Sequence, residues 1–81
     1  MGTNAINPKY GITDNDLEVV QLKKAMLGVS KKKVLLTISE KLNTVQPIKV
    51  CDLSDVDYLI TELDPRHEIL RPFVEVGIQV L

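Results

Sequence analysis

Residues 15–38 read NDLEVVQLKKAMLGVSKKKVLLTI, and this stretch decides the fold class. Its first half predicts a helix, because Asn15 can cap the start with Glu18 three positions later, and Gly28 can end it. The apolar side of this helix is predicted to hold Val19, Leu22 and Met26, with Val20 and Leu27 flanking them. The second half, at 33–38, is a short apolar run with β-branched residues, which predicts a buried strand.

Four other segments resemble that strand or that helix. Residues 58–61 and 78–81 are apolar and β-branched, so they predict two more strands, and 1–6 is a fourth candidate that would continue something upstream. A second helix is predicted to begin at Asp64-Pro65, to kink or split at Pro72 and to stop at Gly77. Its apolar side is predicted to be Ile69, Leu70, Phe73 and Val76. Residues 42–47 predict a polar loop, and 49–57 a short extended piece followed by a helical turn.

The predicted elements alternate between strand and helix along the chain. Such an order predicts an open parallel α/β sheet with right-handed crossovers and flanking helices. Continuous apolar runs, as opposed to strict alternation, predict that helices cover the sheet on both faces. With 81 residues, the chain is long enough for one small domain.

The composition excludes several classes of function. Ten basic and eleven acidic residues give a net charge of −1, without the basic excess of a free-standing nucleic-acid binder. A single cysteine allows no internal disulfide and favours a reducing compartment, so a cytoplasmic protein is expected. Neither a signal peptide nor a membrane-spanning run is recognisable. One cysteine and one histidine without paired spacing predict no metal site, and no cofactor is expected.

Three loops, at 7–14, 39–44 and 62–64, are candidate ligand sites by position, because ligands of open α/β sheets bind beyond the carboxyl ends of the strands. The loop at 7–14 places Gly11-Ile12-Thr13 before the first helix, whose N-terminus could hold an anion. Three acids, Asp14, Asp16 and Glu18, crowd the same end, so helix capping is the favoured interpretation there. The loop at 39–44 offers Lys41, which could reach a phosphate as a point charge, although a plain surface lysine is the commoner case.

Three segments, in this order, resemble the sensor domains of DeoR-type transcriptional repressors. The first is Gly11-Ile12-Thr13 followed by the helix that carries Leu17-Glu18 and 23–26. The second runs from the strand at 33–36 to Ser39-Glu40-Lys41, and the third is 53–61, which reads LSDVDYLIT. Together they cover nearly the whole chain at the spacing of the family, so the chain is identified as similar to that sensor.

The resemblance implies a fold and a function. The family's sensor is Rossmann-like and related to ribose-5-phosphate isomerase and CoA-transferase domains, and 1–81 would be the C-terminal portion of one such sensor. The winged helix-turn-helix that binds DNA would lie outside this chain. The expected role is binding of a phosphorylated sugar that relieves repression, without catalysis. Repressors of lactose phosphotransferase operons are a possible subtype, with tagatose 6-phosphate as effector. A homo-oligomer that covers exposed apolar faces and sheet edges is expected.

The resemblance also implies which residues bind the ligand: Gly11, Thr13, Glu18, Lys23 and Lys41. Lys41 matches the family's loop lysine directly, whereas Glu18 matches the carboxylate of the related isomerases only loosely. The chain departs from the family at Ile38 and Glu62, where Asp is usual, and at Glu40, where Ser is usual. These changes remove an acceptor from the expected pocket and add negative charge beside the lysine, so weaker anion binding or a different effector geometry is expected.

Two other functions compete with the sensor. A sugar-phosphate isomerase would use Glu18 as its base, but no second acid or tight Gly-rich loop accompanies it. A phosphocarrier would use Cys51 as its nucleophile, but the neighbouring Asp52, Asp55 and Asp57 should raise the pKa of that thiol. His67 follows Arg66 in a first helical turn and predicts surface structure only.

Overall fold

The fold of residues 1–81, taken from a computed structural model, has six short strands and two helices. The strands are β1 (Ala5–Asn7), β2 (Gly11–Asp14), β3 (Val34–Leu36), β4 (Ile48–Cys51), β5 (Tyr58–Ile60) and β6 (Gln79–Val80). The helices are α1 (Leu17–Val29) and α2 (Arg71–Glu75), and single 3₁₀ turns occupy Ser39–Lys41, Leu53–Asp55 and Glu68–Leu70. None of the helices is long and apolar enough to cross a lipid bilayer.

The strands predicted at 33–38, 58–61 and 78–81 form one parallel sheet in the order β3-β5-β6. The start of the chain adds a parallel bridge on the other side of β3, since the Leu36 N–H donates to Met1 O and the Thr3 N–H donates to Leu36 O. The prediction of parallel strands at 33–38, 58–61 and 78–81 is therefore confirmed.

A second sheet corrects the prediction of a single open parallel sheet. Its order is β1-β2-β4, and β2 runs antiparallel to both neighbours. Residues 7–14, predicted as a loop, form a hairpin instead, because the Asn7 side chain accepts hydrogen bonds from the Lys9 and Tyr10 N–H groups and closes a tight turn. β2 then follows with all four residues buried. The extended piece predicted within 49–57 is confirmed as β4, and the helical turn after it as Leu53–Asp55.

One cluster of buried side chains joins both sheets and both helices. It consists of Ile6, Ile12, Val20, Leu35, Leu42, Val50, Leu53, Val56, Leu59, Leu70, Phe73 and Ile78. Only one face of the parallel sheet contributes to it: Leu35 and Leu59 are fully buried, whereas Leu36 and Ile60, on the other face, are 49% and 37% exposed. The prediction that both faces are covered is wrong for this chain, because no helix packs on that second face.

The bounds and the buried side of α1 differ from the prediction. Asp16, not Asn15, is the N-cap and accepts from the N–H groups of Glu18 and Val19. The helix continues through Gly28 to Val29, and the hydroxyl of Ser30, its C-cap, donates to the carbonyl of Met26 at 2.6 Å. The core contacts come from Val20, with Leu27 half-buried, and not from Leu22 and Met26.

The second predicted helix is split, as Pro72 indicated. Asp64 accepts from the Arg66 N–H in a separate turn, a 3₁₀ turn follows, and Pro72 lies at the start of α2. Proline has no N–H to donate and fits only the first turn of a helix, so a continuous helix through 64–76 is disfavoured. Leu70 and Phe73 are buried as predicted, whereas Ile69 and Val76 are exposed. Gly77, with φ +102°, stops the helix as predicted.

Candidate functional site

A cleft of about 590 Å³ opens at the carboxyl ends of β3 and β5. This volume lies within the range of roughly 300–1,000 Å³ that is common for small-molecule sites. Its apolar wall is formed by Leu36, Ile38 and Ile60, all of which are partly exposed. The carboxyl ends of parallel strands are also the place where open α/β sheets bind ligands, so topology and shape agree on this position.

Lys41 supplies the positive charge of the cleft. It is the last residue of the 3₁₀ turn that follows β3, and its N–H donates to the carbonyl of Ile38 at 2.9 Å. The side chain forms no ion pair, since no carboxylate oxygen lies within 4.0 Å of Nζ. An ammonium group that is free of a protein partner can take an anionic group of a ligand as its counter-ion.

Glu62 connects the segments that follow β3 and β5 through hydrogen bonds. Its carboxylate accepts from the Ser39 N–H at 2.8 Å, the Ser39 hydroxyl at 2.7 Å and the Thr61 hydroxyl at 2.9 Å. These hydrogen bonds, first from Ser39 and then from Thr61, lower the pKa of Glu62 to about 2, so the group stays ionised near neutral pH. The carboxylate therefore holds the turn that carries Lys41 against the end of β5.

Three threonine hydroxyls add polar atoms to the cleft wall. Thr3 Oγ1 donates to Ala5 O, Thr37 Oγ1 to Ile38 O and Thr61 Oγ1 to the Glu62 carboxylate. A hydroxyl that has donated its proton keeps acceptor capacity on its oxygen. The cleft therefore combines one unpaired cation with several acceptor oxygens and an apolar wall.

The bridge at Glu62 carries a first prediction. In Glu62→Ala, the Ser39 N–H and hydroxyl lose their acceptor, so hydrogen exchange at the Ser39 amide should accelerate roughly tenfold or more. Glu62→Gln keeps an acceptor oxygen for this amide and should retain most of the protection. Amide exchange measured by NMR would make this comparison, and equal protection in the wild type and in Glu62→Ala would rule the bridge out.

Gly11 and Thr13 do not reach the cleft. Gly11 lies in β2 with φ +78°, and a Cβ at this position would lie 2.4 Å from the carbonyl oxygen of Cys51. The Thr13 hydroxyl is buried and accepts from the Gln46 N–H at 2.8 Å. Both residues therefore have structural roles where β2 meets its neighbours.

Glu18 and Lys23 also lie outside the cleft. Lys23 Nζ donates to Asp14 Oδ2 at 3.1 Å, and both side chains are mostly buried. Asp14 also accepts from the Asn15 and Asp16 N–H groups and from Asn4 Nδ2. Burial alone would raise the pKa of Asp14, but the bond from Lys23 and these N–H donors together hold it below its usual 3.8. Glu18 is exposed and forms no ion pair.

The N-terminus of α1 is accordingly filled by the protein's own carboxylates. Asp16 accepts from the N–H groups of Glu18 and Val19 in the first turn of the helix, and Asp14 accepts from those of Asn15 and Asp16 just before it. The anion site considered at 11–13 is therefore not open, and capping, the favoured interpretation, accounts for these residues. Of the five predicted ligand residues the structure brings only Lys41 to the cleft. Glu62 lies in the third candidate loop, at 62–64, but its partner Ser39 is distant in the chain, so the hydrogen bonds between them could not be predicted from the sequence.

Two other reactive side chains have structural surroundings. Burial, and then the charges of Asp55 and Asp52, raise the pKa of Cys51 to about 11, which keeps the thiol protonated. His67 is exposed, and its Nδ1 accepts from the Ile69 N–H at 3.2 Å, which caps a 3₁₀ turn. Neither residue has the environment of a nucleophile or a metal ligand.

Comparison with known proteins identifies the family. Residues 1–63 match the family described as the DeoR C terminal sensor domain. The match includes β1 to β5 and both Lys41 and Glu62, and α2 and β6 follow it in the chain. A search of curated proteins finds no match. Because the matched part is well over half of the chain, this protein belongs to the family of DeoR C-terminal sensor domains.

Proposed function

We propose that this chain is the effector-binding part of a DeoR-type transcriptional repressor of sugar metabolism, and that a phosphorylated sugar binds in the cleft beside Lys41. The protein would act in the cytoplasm, and its DNA contacts would come from a winged helix-turn-helix outside this chain. Ketohexose phosphates, including tagatose 6-phosphate, are the first effectors to test, since the lactose type of repressor is the subtype that we favour. The chain would bind its effector without transforming it.

The chemistry of the cleft is the observation that supports this proposal. Lys41 has no protein counter-ion, and the rest of the polar wall consists of the Thr3, Thr37 and Thr61 hydroxyls and the ionised Glu62. A sugar monophosphate has the complementary set, with one anionic group and several hydroxyl donors. Hydrogen bonds between these hydroxyls and the acceptors of the wall would orient the ring while Lys41 holds the phosphate.

Two departures from the family affect the strength of binding. Glu40 stands beside Lys41 in the 3₁₀ turn, where its negative charge opposes an anionic ligand. Ile38 lines the cleft at the position where the family usually has Asp, so one acceptor is replaced by an apolar side chain. We therefore expect this site to bind more weakly than is usual in the family, or to favour an effector with a more apolar body.

The proposal includes the architecture of the complete sensor. The parallel sheet β3-β5-β6 would be part of a larger Rossmann-like sheet related to ribose-5-phosphate isomerase and CoA-transferase domains, and 1–81 would be its C-terminal portion.

The test is a thermal-shift screen of pentose and hexose phosphates, followed by calorimetric titration. A ligand at about 100 times its Kd should stabilise the chain by about 2.7 kcal/mol, which raises Tm by roughly 10–20 °C. Lys41→Met should weaken binding roughly 10–100-fold, because a charge-assisted hydrogen bond to the phosphate is lost. Lys24→Met removes an exposed lysine of α1 and serves as the matched control, with unchanged affinity.

Two outcomes would contradict the proposal. Equal losses in Lys41→Met and Lys24→Met would mean that binding depends on overall charge and not on the cleft. Conversion of a bound sugar phosphate into its isomer would favour the competing isomerase function. In that function Glu18 was the candidate base, but it lies exposed on α1 and does not line the cleft.

A further inference from the structure

Glu62 is the acidic residue of the cleft wall, and its carboxylate has acceptor capacity left over. A carboxylate offers about four lone-pair sites, two on each oxygen. Oε1 accepts from the Ser39 N–H at 2.8 Å and from the Thr61 hydroxyl at 2.9 Å, whereas Oε2 accepts from the Ser39 hydroxyl alone, at 2.7 Å. Because the side chain is exposed, a ligand in the cleft can donate one further hydrogen bond to Oε2.

The negative and positive charges of the cleft are held apart. Lys41 and Glu62 both line it, but no lysine or arginine nitrogen lies within 4.0 Å of the Glu62 carboxylate. Three hydrogen bonds, one of them from a backbone N–H, fix the position of this carboxylate, so it cannot turn away from a ligand without losing them. The cleft therefore has one point that attracts an anion and a second point that accepts a donor and repels an anion.

We infer that Glu62 determines which phosphorylated sugars bind, by accepting a hydrogen bond from a sugar hydroxyl and by repelling a second phosphate; this inference rests on the proposed function. With one phosphate at Lys41, a hydroxyl elsewhere on the sugar donates to Oε2. A phosphate in place of that hydroxyl removes the donor and brings like charges together. Lys41 is the one basic residue of the cleft wall, so no second cation balances the added charge. The cleft therefore selects sugar monophosphates over bisphosphates.

Selection by Glu62 differs in its effect from a purely structural role of the same residue. If Glu62 only held the turn that carries Lys41, its replacement would weaken every anionic ligand by the same factor. Direct contact with the ligand changes the ratio of two affinities instead, because only one of the two ligands carries a charge that meets the carboxylate. The ratio of the dissociation constants for a bisphosphate and its parent monophosphate is therefore the measurement that separates the two roles.

Calorimetric titration at neutral pH and fixed ionic strength tests the selection, with tagatose and fructose 6-phosphates and the corresponding 1,6-bisphosphates as matched pairs. The wild type should bind the monophosphate of a pair about tenfold more tightly or better. In Glu62→Gln one oxygen still accepts from the Ser39 N–H, while an uncharged NH₂ group replaces the other, so the preference should fall to about threefold or less. Glu75→Gln, at an exposed position of α2 outside the cleft, is the matched control and should keep the wild-type preference.

The outcomes separate this inference from the proposed function. A wild type that binds monophosphates and bisphosphates equally well would overturn the selection by Glu62 and leave the sugar-phosphate site standing. Equal weakening of both ligands in Glu62→Gln would also overturn it, since the residue would then only hold the turn. Protection of the Ser39 amide from hydrogen exchange in Glu62→Gln shows that the turn is still held. A wild type that binds neither member of either pair would contradict the proposed function, and the inference with it.

Discussion

Replacing Gly11 with alanine is expected to destabilise this protein more than any other single change proposed here, by about 4 kcal/mol or more. Two costs add up at this position. The backbone has φ +78°, a conformation that residues with a Cβ adopt only with strain, and the new methyl group would lie 2.4 Å from the carbonyl oxygen of Cys51. That oxygen belongs to the backbone of β4, so it cannot move aside without disturbing the pairing of β2 with β4.

Such a loss is large for a domain of this size, whose total stability should be roughly 4–12 kcal/mol. Urea unfolding followed by circular dichroism would measure it. Gly28→Ala provides the control, because Gly28 lies inside α1 and a Cβ there meets nothing within 4 Å. That change should stabilise the helix by about 0.5–1 kcal/mol. A Gly11→Ala variant as stable as the wild type would mean that β2 and β4 are not in such close contact.

The second large effect is expected at the buried ion pair between Lys23 and Asp14. Lys23→Met would leave the Asp14 carboxylate buried without its cation, and we expect a loss of about 3 kcal/mol. The figure is at the lower end for such pairs, because the Asn15 and Asp16 N–H groups and Asn4 continue to donate to the carboxylate. The neighbouring Lys24→Met, at an exposed position, should change stability by less than about 0.5 kcal/mol.

A double variant separates the pair from the general packing of Lys23. Asp14→Asn with Lys23→Met removes both charges. The loss of stability in this double variant should be smaller than the sum of the two single losses, by about 1 kcal/mol or more. Additive losses would show that the two side chains act independently.

The same pair predicts how stability depends on pH. The pKa of Asp14 is lower in the folded chain than its usual 3.8, so the folded state favours the ionised carboxylate. This contribution is complete above about pH 4 and is lost as the pH falls through the folded pKa. Wild-type stability should therefore fall in acid, and Asp14→Asn should reduce that fall.

Local sequence patterns predicted the parallel half of the fold well. The apolar runs at 33–38 and 58–61 identified β3 and β5, and Gly77 identified the end of α2. These features are determined by residues close together in the chain: burial favours continuous apolarity in parallel strands, and a positive φ favours glycine. Lys41 was identified for the same reason, since its position follows directly from the end of β3.

The antiparallel sheet was missed because its signals are weak or distant. β2 has four residues and begins with a glycine, so its sequence resembles a turn as much as a strand. Its pairing with β4 is decided by contacts between distant residues, such as Ile12 opposite Cys51. The orientation of α1 was missed for a different reason. Both of its sides are apolar, so periodicity alone could not determine whether Leu22 or Val20 faces the core.

The pairing of β2 with β4 has a consequence for how the chain folds. The β1–β2 hairpin needs only local contacts and can form early. β4 also pairs with β2, but α1 and β3 separate these two strands in the sequence. Closing so long a loop costs chain entropy before the contacts between β2 and β4 can stabilise the pair, which slows this step. Until β4 arrives, the buried strand Gly11–Asp14 has an unpaired edge that can bind another unfinished chain. Refolding at high protein concentration should therefore compete with aggregation through β2, and dilution should raise the yield.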